Sequence, residues 1–141
     1  MESEIYERIP HRPPFLWVDR IISIDSQTIV AEKYFAPDLD MYAGHYPHHP
    51  ITPGVILCEA IIQAGAVLIA DILQREGTSV EGVPVLTRIY GARFKRSIKP
   101  GDTVRLVAHL KEVIGAAWLL KGKVLVEDKV AVSLDFGCTI T

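Results

Sequence analysis

Hydrophobic positions in this chain follow two rhythms. From Val55 to Arg75 apolar residues fall on nearly every side of a helix, the pattern of a helix buried by surrounding structure rather than laid on a surface. Its start is marked by Thr52-Pro53-Gly54. Thr52 is the expected N-cap, and proline suits the first helical position because its missing N–H costs nothing there. The helix is therefore expected to begin at Pro53 or Gly54 and to stop at Gly77. Elsewhere the period is two. Val104, Leu106, Ala108 and Leu110 alternate with polar residues, as do Val130, Val132, Leu134 and Phe136, which predicts an antiparallel sheet with one face on the helix. Strands are expected at 21–24, 28–35, 83–88, 103–113, 116–126 and 130–140, with turns at Asp25-Ser26-Gln27, Gly115 and Glu127-Asp128. A short helix is expected within 3–9, and 77–82 reads as a helix-to-strand connection. The fold class is α+β.

Composition narrows this little. The chain has 141 residues, of which 49% are hydrophobic, enough for a single domain over 1–141 with its own core. A net charge of −2 offers no broad electrostatic footprint for nucleic acid. Met1 to Glu7 is polar and acidic, unlike a signal peptide, so a cytoplasmic location is expected. The long apolar helix raises a membrane span, which Glu59, Gln63 and Asp71 argue against. Cys58 and Cys138 are too few and too far apart for a structural zinc site or a disulfide framework.

Chemistry concentrates in GHYPHHPITPGVILCEAIIQAG, Gly44 to Gly65. His45 precedes the helix in a loop stiffened by Pro47, Pro50 and Pro53, a suitable holder for a general base. Glu59 lies among Leu57, Cys58, Ala60 and Ile61, where an ionised carboxylate is poorly solvated and the protonated acid is favoured. Gln63, one turn on, can orient it. Gly54 presents its N–H at the helix start, a natural anion-binding point. His48 and His49 read as loop surface or pocket rim.

The run HYPHHPITPGVILCEAIIQ resembles the active-site signature of the β-hydroxyacyl-acyl carrier protein dehydratases of the FabZ type. IPHRPPFLWVDRI, Ile9 to Ile21, and ARFKRSIKPGD, Ala92 to Asp102, resemble two further segments of that family, in the same order. The resemblance implies a hot-dog fold, in which a long central helix is wrapped by an antiparallel β-sheet. It also implies a homodimer with shared active sites, with or without assembly into a trimer of dimers. By the same resemblance His45 is the catalytic histidine, Glu59 the catalytic acid supplied by the opposite subunit, and Gly54 the N–H that polarises the thioester carbonyl. Glutamate at 59 favours the FabZ type over the FabA dehydratase-isomerase, which has aspartate there. Tyr46, His48, Thr52, Ile61-Ile62 and Tyr90-Gly91 depart from the pattern without removing a catalytic group.

The implied reaction is dehydration of a (3R)-hydroxyacyl chain on acyl carrier protein to the trans-2-enoyl form. Proton transfer and oxyanion stabilisation account for it without cofactor or metal. Arg93, Lys95, Arg96 and Lys99, with Arg88, form a basic concentration that suits an acidic carrier or serves as a solvated face. His11 and Arg12 either shape the site or serve structure near the subunit boundary. Rival functions are another hot-dog thioester activity, such as a thioesterase or enoyl-CoA hydratase, a non-catalytic acyl-binding subunit, and a metal-dependent hydrolase built on His45, His48, His49 and Glu59.

Overall fold

The computed structural model describes residues 2–78 and 82–140; part of the expected 77–82 connection thus lies outside the described residues. The elements run α1 (Glu2–Tyr6), β1 (Arg20–Ile24), β2 (Thr28–Tyr34), α2 (Asp40–Gly44), α3 (Gly54–Arg75), β3 (Pro84–Phe94), β4 (Thr103–Ile114), β5 (Ala117–Val126) and β6 (Lys129–Ile140). All six strands form one antiparallel sheet in the order β1-β2-β4-β5-β6-β3. The 22-residue α3 packs against it. This is the hot-dog arrangement.

Both rhythms translate into packing. Val104, Leu106, Ala108, Val132, Leu134 and Phe136 are buried, so the alternating strands turn their apolar side toward α3. Contact is close: a Cβ on Gly65 would stand 2.6 Å from the Phe136 ring, and one on Gly122 would collide with Ile61. The apolar length of α3 would cross a bilayer, yet most of it is buried inside the fold. Its C-terminus closes with Gly77 N–H on Gln74 O and Thr78 N–H on Leu73 O, the Schellman pattern.

Three expectations need correction. The N-cap of α3 is Pro53, with no side-chain cap, because Thr52 is engaged elsewhere. The short helix α2 was not foreseen; its single buried residue, Tyr42, offers no 3.6-residue pattern. β3 continues six residues beyond the expected 88. Its ladder shifts between Tyr90 and Arg93 opposite Asp135 and Ser133, and Gly91 there has φ +65°. A glycine in the left-handed region forms a bulge that lets a strand absorb an extra residue and continue.

Candidate active site

His45 is held from both sides in sequence. α2 ends at Gly44, immediately before it. After it, the Tyr42 hydroxyl and Thr52 Oγ1 share a buried 2.7 Å hydrogen bond, while Thr52 N–H donates to Ile98 O at 2.7 Å. Thr52 thus latches the proline-rich loop to α2 and to the segment after β3, which is why it does not cap α3. Burial pushes the Tyr42 phenol up from its ordinary pKa, with the Thr52 bond opposing this, so the latch stays protonated at neutral pH.

The His45 ring is half-buried, and its Nδ1 lies 3.2 Å from Ile51 O. A carbonyl only accepts, so Nδ1 carries the hydrogen and Nε2 keeps its lone pair. His45 is therefore set up as a base through Nε2. Tyr46 stacks obliquely on it, ring centroids 4.5 Å apart. His48 and His49 are exposed, as expected for rim or surface.

Gly54 opens α3, and its N–H has no acceptor among the described residues. A Cβ here would stand 2.8 Å from the Phe94 ring, so glycine allows the end of β3 to lie across the helix start. The N–H and the positive end of the α3 dipole together make an oxyanion-binding point.

Glu59 differs from its expected setting. Its side chain is 27% exposed, and Val55, one turn earlier on the same side of α3, is 74% exposed, so this side of the first turns is open. Instead of being sealed in apolar surroundings, the carboxylate is fixed by polar contacts. Gln63 Nε2 donates to Glu59 Oε2 at 2.9 Å and to Phe15 O at 3.0 Å, while Gln63 Oε1 accepts Trp17 N–H at 2.8 Å. That backbone donor and acceptor settle which way the amide points. Gln63, fully buried, thus presents only an N–H to Glu59, leaving Oε1 of the carboxylate open. Sequence spacing placed Gln63 beside Glu59; the partners from the Phe15–Trp17 segment were not foreseen.

Of the two roles expected for His11, shaping the site or serving structure near the subunit boundary, its position bears on the first: Nε2 lies 3.9 Å from Glu59 Oε2, and its buried Nδ1 has no hydrogen-bond partner among the described residues. The PHR run was the available signal. No hydrogen bond or ion pair joins His45 to Glu59 among the described residues. Of the basic residues, Arg93 is the last but one of β3, and Lys95 and Arg96 follow the strand with both N–H groups on Ala131 O. Lys99 N–H caps onto Asp102 Oδ2 at 2.8 Å. All four side chains are exposed. Cys58 and Cys138 are free, buried thiols. Among the described residues no group of three or more His, Cys, Asp or Glu could hold a metal ion.

Residues 9–135 match the family described as FabA-like domain. A 3-hydroxyacyl-[acyl-carrier-protein] dehydratase FabZ from Campylobacter hominis is 38% identical over 98% of this chain and 95% of its own. One of the same description from an Anaeromyxobacter strain is 36% identical over 96% and 87%. Among solved structures, the dehydratase heterocomplex ApeI:P from Xenorhabdus doucetiae superposes with TM-score 0.83 at 14% identity, covering 97% of this chain and 90% of that one. The E. coli PaaI protein superposes with TM-score 0.67 at 17% identity, covering 85% and 81%. These two likenesses carry the fold.

Proposed function

The chain belongs to the FabA-like family, and from that premise we propose that it is a 3-hydroxyacyl-[acyl-carrier-protein] dehydratase of fatty acid or related acyl-chain biosynthesis. His45 Nε2 removes the proton from the carbon beside the thioester carbonyl. The bond from C3 to its hydroxyl breaks, and Glu59 in its acid form donates a proton to that hydroxyl, which leaves as water. Charge that builds on the thioester oxygen is held by the Gly54 N–H and the α3 terminus. Gln63 keeps the Glu59 carboxyl aimed. The observation that carries this reading is the hydrogen bond from His45 Nδ1 to Ile51 O, which leaves one basic nitrogen in a loop leading to a helix start with a free N–H.

The active unit is a homodimer paired along β3. Supporting this, β3 is the sheet edge, 11 residues long and exposed along nearly all of it. Val85, Leu86, Ile89 and Phe94 are 38–56% exposed there. A long apolar edge is an open template for another strand. A second copy on it would cover these residues, supply the missing wall for the acyl chain, and bring Glu59 of one chain to His45 of the other. The exposed cations from Lys95 to Lys99 suit docking of an acidic carrier beside Phe94, with Arg93 on the opposite face of the strand, and the setting is cytoplasmic.

The test is incubation with 3-hydroxyacyl-carrier substrates of several chain lengths, following enoyl-thioester formation. Appearance of trans-2-enoyl product is the expected result. Release of free acid, or turnover of coenzyme A thioesters alone, would replace this reading by another thioester chemistry.

A further inference from the structure

The sheet face turned away from α3 carries a second polar concavity that the proposed reaction leaves unused. Residues opposite one another in an antiparallel ladder share a face, and two rows cross the sheet on this side. One joins Thr28, His109, Lys121 and Asp135; the other joins Val107, Lys123, Ser133 and Arg93. Their neighbours Leu106, Ala108, Leu120, Val124, Val132 and Leu134 are the ones buried against the core.

The rows enclose a groove of about 600 Å³ lined by Arg93, His109, Lys121, Lys123 and Ser133 among others, with Gly91 and Gly122 in its wall. Its charge is lopsided. Asp135, the one carboxylate in the lining, stands 3.8 Å from Lys111 Nζ, whereas Arg93, Lys121 and Lys123 have no ion-pair partner among the described residues. Three unpaired cations around one concavity repel each other and are relieved by a multivalent anion. His109 Nδ1 is taken by the Thr28 hydroxyl at 2.7 Å, which turns its Nε2 free, and Ser133 adds a hydroxyl.

We propose that this groove binds a small molecule carrying a diphosphate. A guanidinium gives paired N–H donors to phosphate oxygens, and lysines add point charges. The volume falls within the range of small-molecule pockets, about 300–1,000 Å³. Among the described residues no Phe, Tyr or Trp lines the groove, so it lacks the large aromatic anchors of a protein–protein hot spot. Arg93 and Phe94 are consecutive in an extended strand, so their side chains leave opposite faces. The anion therefore sits behind the strand whose Phe94 lies on Gly54.

Titration of the wild-type protein with inorganic pyrophosphate and with adenosine diphosphate, by calorimetry or phosphorus NMR, tests this without any dehydratase assay. Saturable binding is expected, weakened about tenfold or more by Lys123→Gln and by Lys121→Gln, kept by Lys123→Arg, and unchanged by Lys129→Gln, an exposed cation outside the groove. These side chains are on the surface, and unchanged circular dichroism confirms folded variants. Absence of saturable binding, or equal weakening by Lys129→Gln, would overturn the site. Failure of dehydration with pyrophosphate binding intact would leave the groove standing and remove only the proposed function.

Discussion

Glu59 and Asp71 stand twelve positions apart on the same helix and live in different physical regimes. Asp71 is 5% exposed and held by two cations: Arg8 reaches Oδ1 from Nη2 at 2.9 Å and from Nε at 3.1 Å, and Arg75 Nε stands 2.8 Å from Oδ2. Glu59 is 27% exposed and takes its hydrogen bond from one neutral amide, with His11 Nε2 farther off at 3.9 Å. Two guanidiniums occupy both oxygens of one carboxylate, whereas the other keeps an oxygen open to a reacting group. The difference separates a carboxylate that ties the segment after α1 to α3 from one left free for the acid role proposed for it, although sequence alone shows each as an acid in an apolar helix.

The largest effect that tests this contrast is on turnover. Glu59→Gln and His45→Ala are each expected to lower dehydration by about 100- to 10,000-fold. Glutamine at 59 can still accept the Gln63 N–H, so its unfolding free energy should stay within about 0.5 kcal/mol of wild type. Retained turnover in a folded variant would remove the chemical half of the contrast.

Asp71→Ala inverts the pattern. Breaking a buried ion pair costs about 3–5 kcal/mol, and the lower end applies because Arg75 is 49% exposed and can rehydrate. Urea unfolding should show a loss of about 3 kcal/mol while kcat of the remaining folded protein is unchanged. A stable variant with lost turnover would exchange the two roles.

A smaller recovery tests whether the open end of α3 is completed by a second copy. If His45→Ala and Glu59→Gln chains are unfolded together and refolded, half of randomly paired dimers are mixed, and each holds one intact site. About a quarter of wild-type activity should return. If one chain supplied both groups, every site would keep a defect and the mixture would stay inactive, with a tagged pull-down confirming that mixed dimers formed.

How legible the molecule was follows from which residues act locally. Alternation in 104–110 and 130–136 marked the buried face because a strand's side chains report their face directly. The start of α3 at Gly54 and the closeness of Gln63 to Glu59 followed from short spacings and the Pro-Gly pair. What stayed hidden was set by distant partners. Thr52 reads as a cap until Tyr42 and Ile98 claim it. Glu59 reads as sealed until the exposed first turns of α3 are seen. The strand expected at 83–88 stops short in sequence, although the left-handed glycine at 91 is what carries it on to Phe94. Arg93 lies in β3 and Lys121 and Lys123 in β5, two strands that do not pair directly and are brought together only through their register on β6.

The smallest effect reads the charge of each helix position from inside the core. Cys138, 1% exposed, has its thiol pushed up to about 11, first by burial and then by the nearby Glu59 charge. Unfolded, that thiol loses its proton near 9.0; folded, it holds the proton until about 11. Unfolding therefore releases a proton within this window, and the thiol's contribution to stability, about 3 kcal/mol, is present below pH 9 and lost as pH rises toward 11. Glu59→Gln removes the second cause, so the Cys138 titration, followed by its carbon-13 Cβ signal, should move down by a fraction of a unit. Asp71→Asn should leave it in place, since Arg8 and Arg75 cancel the aspartate's field in the wild type. An unmoved titration in Glu59→Gln, or an equal shift in Asp71→Asn, would mean that the two carboxylates do not differ in how far their charge reaches.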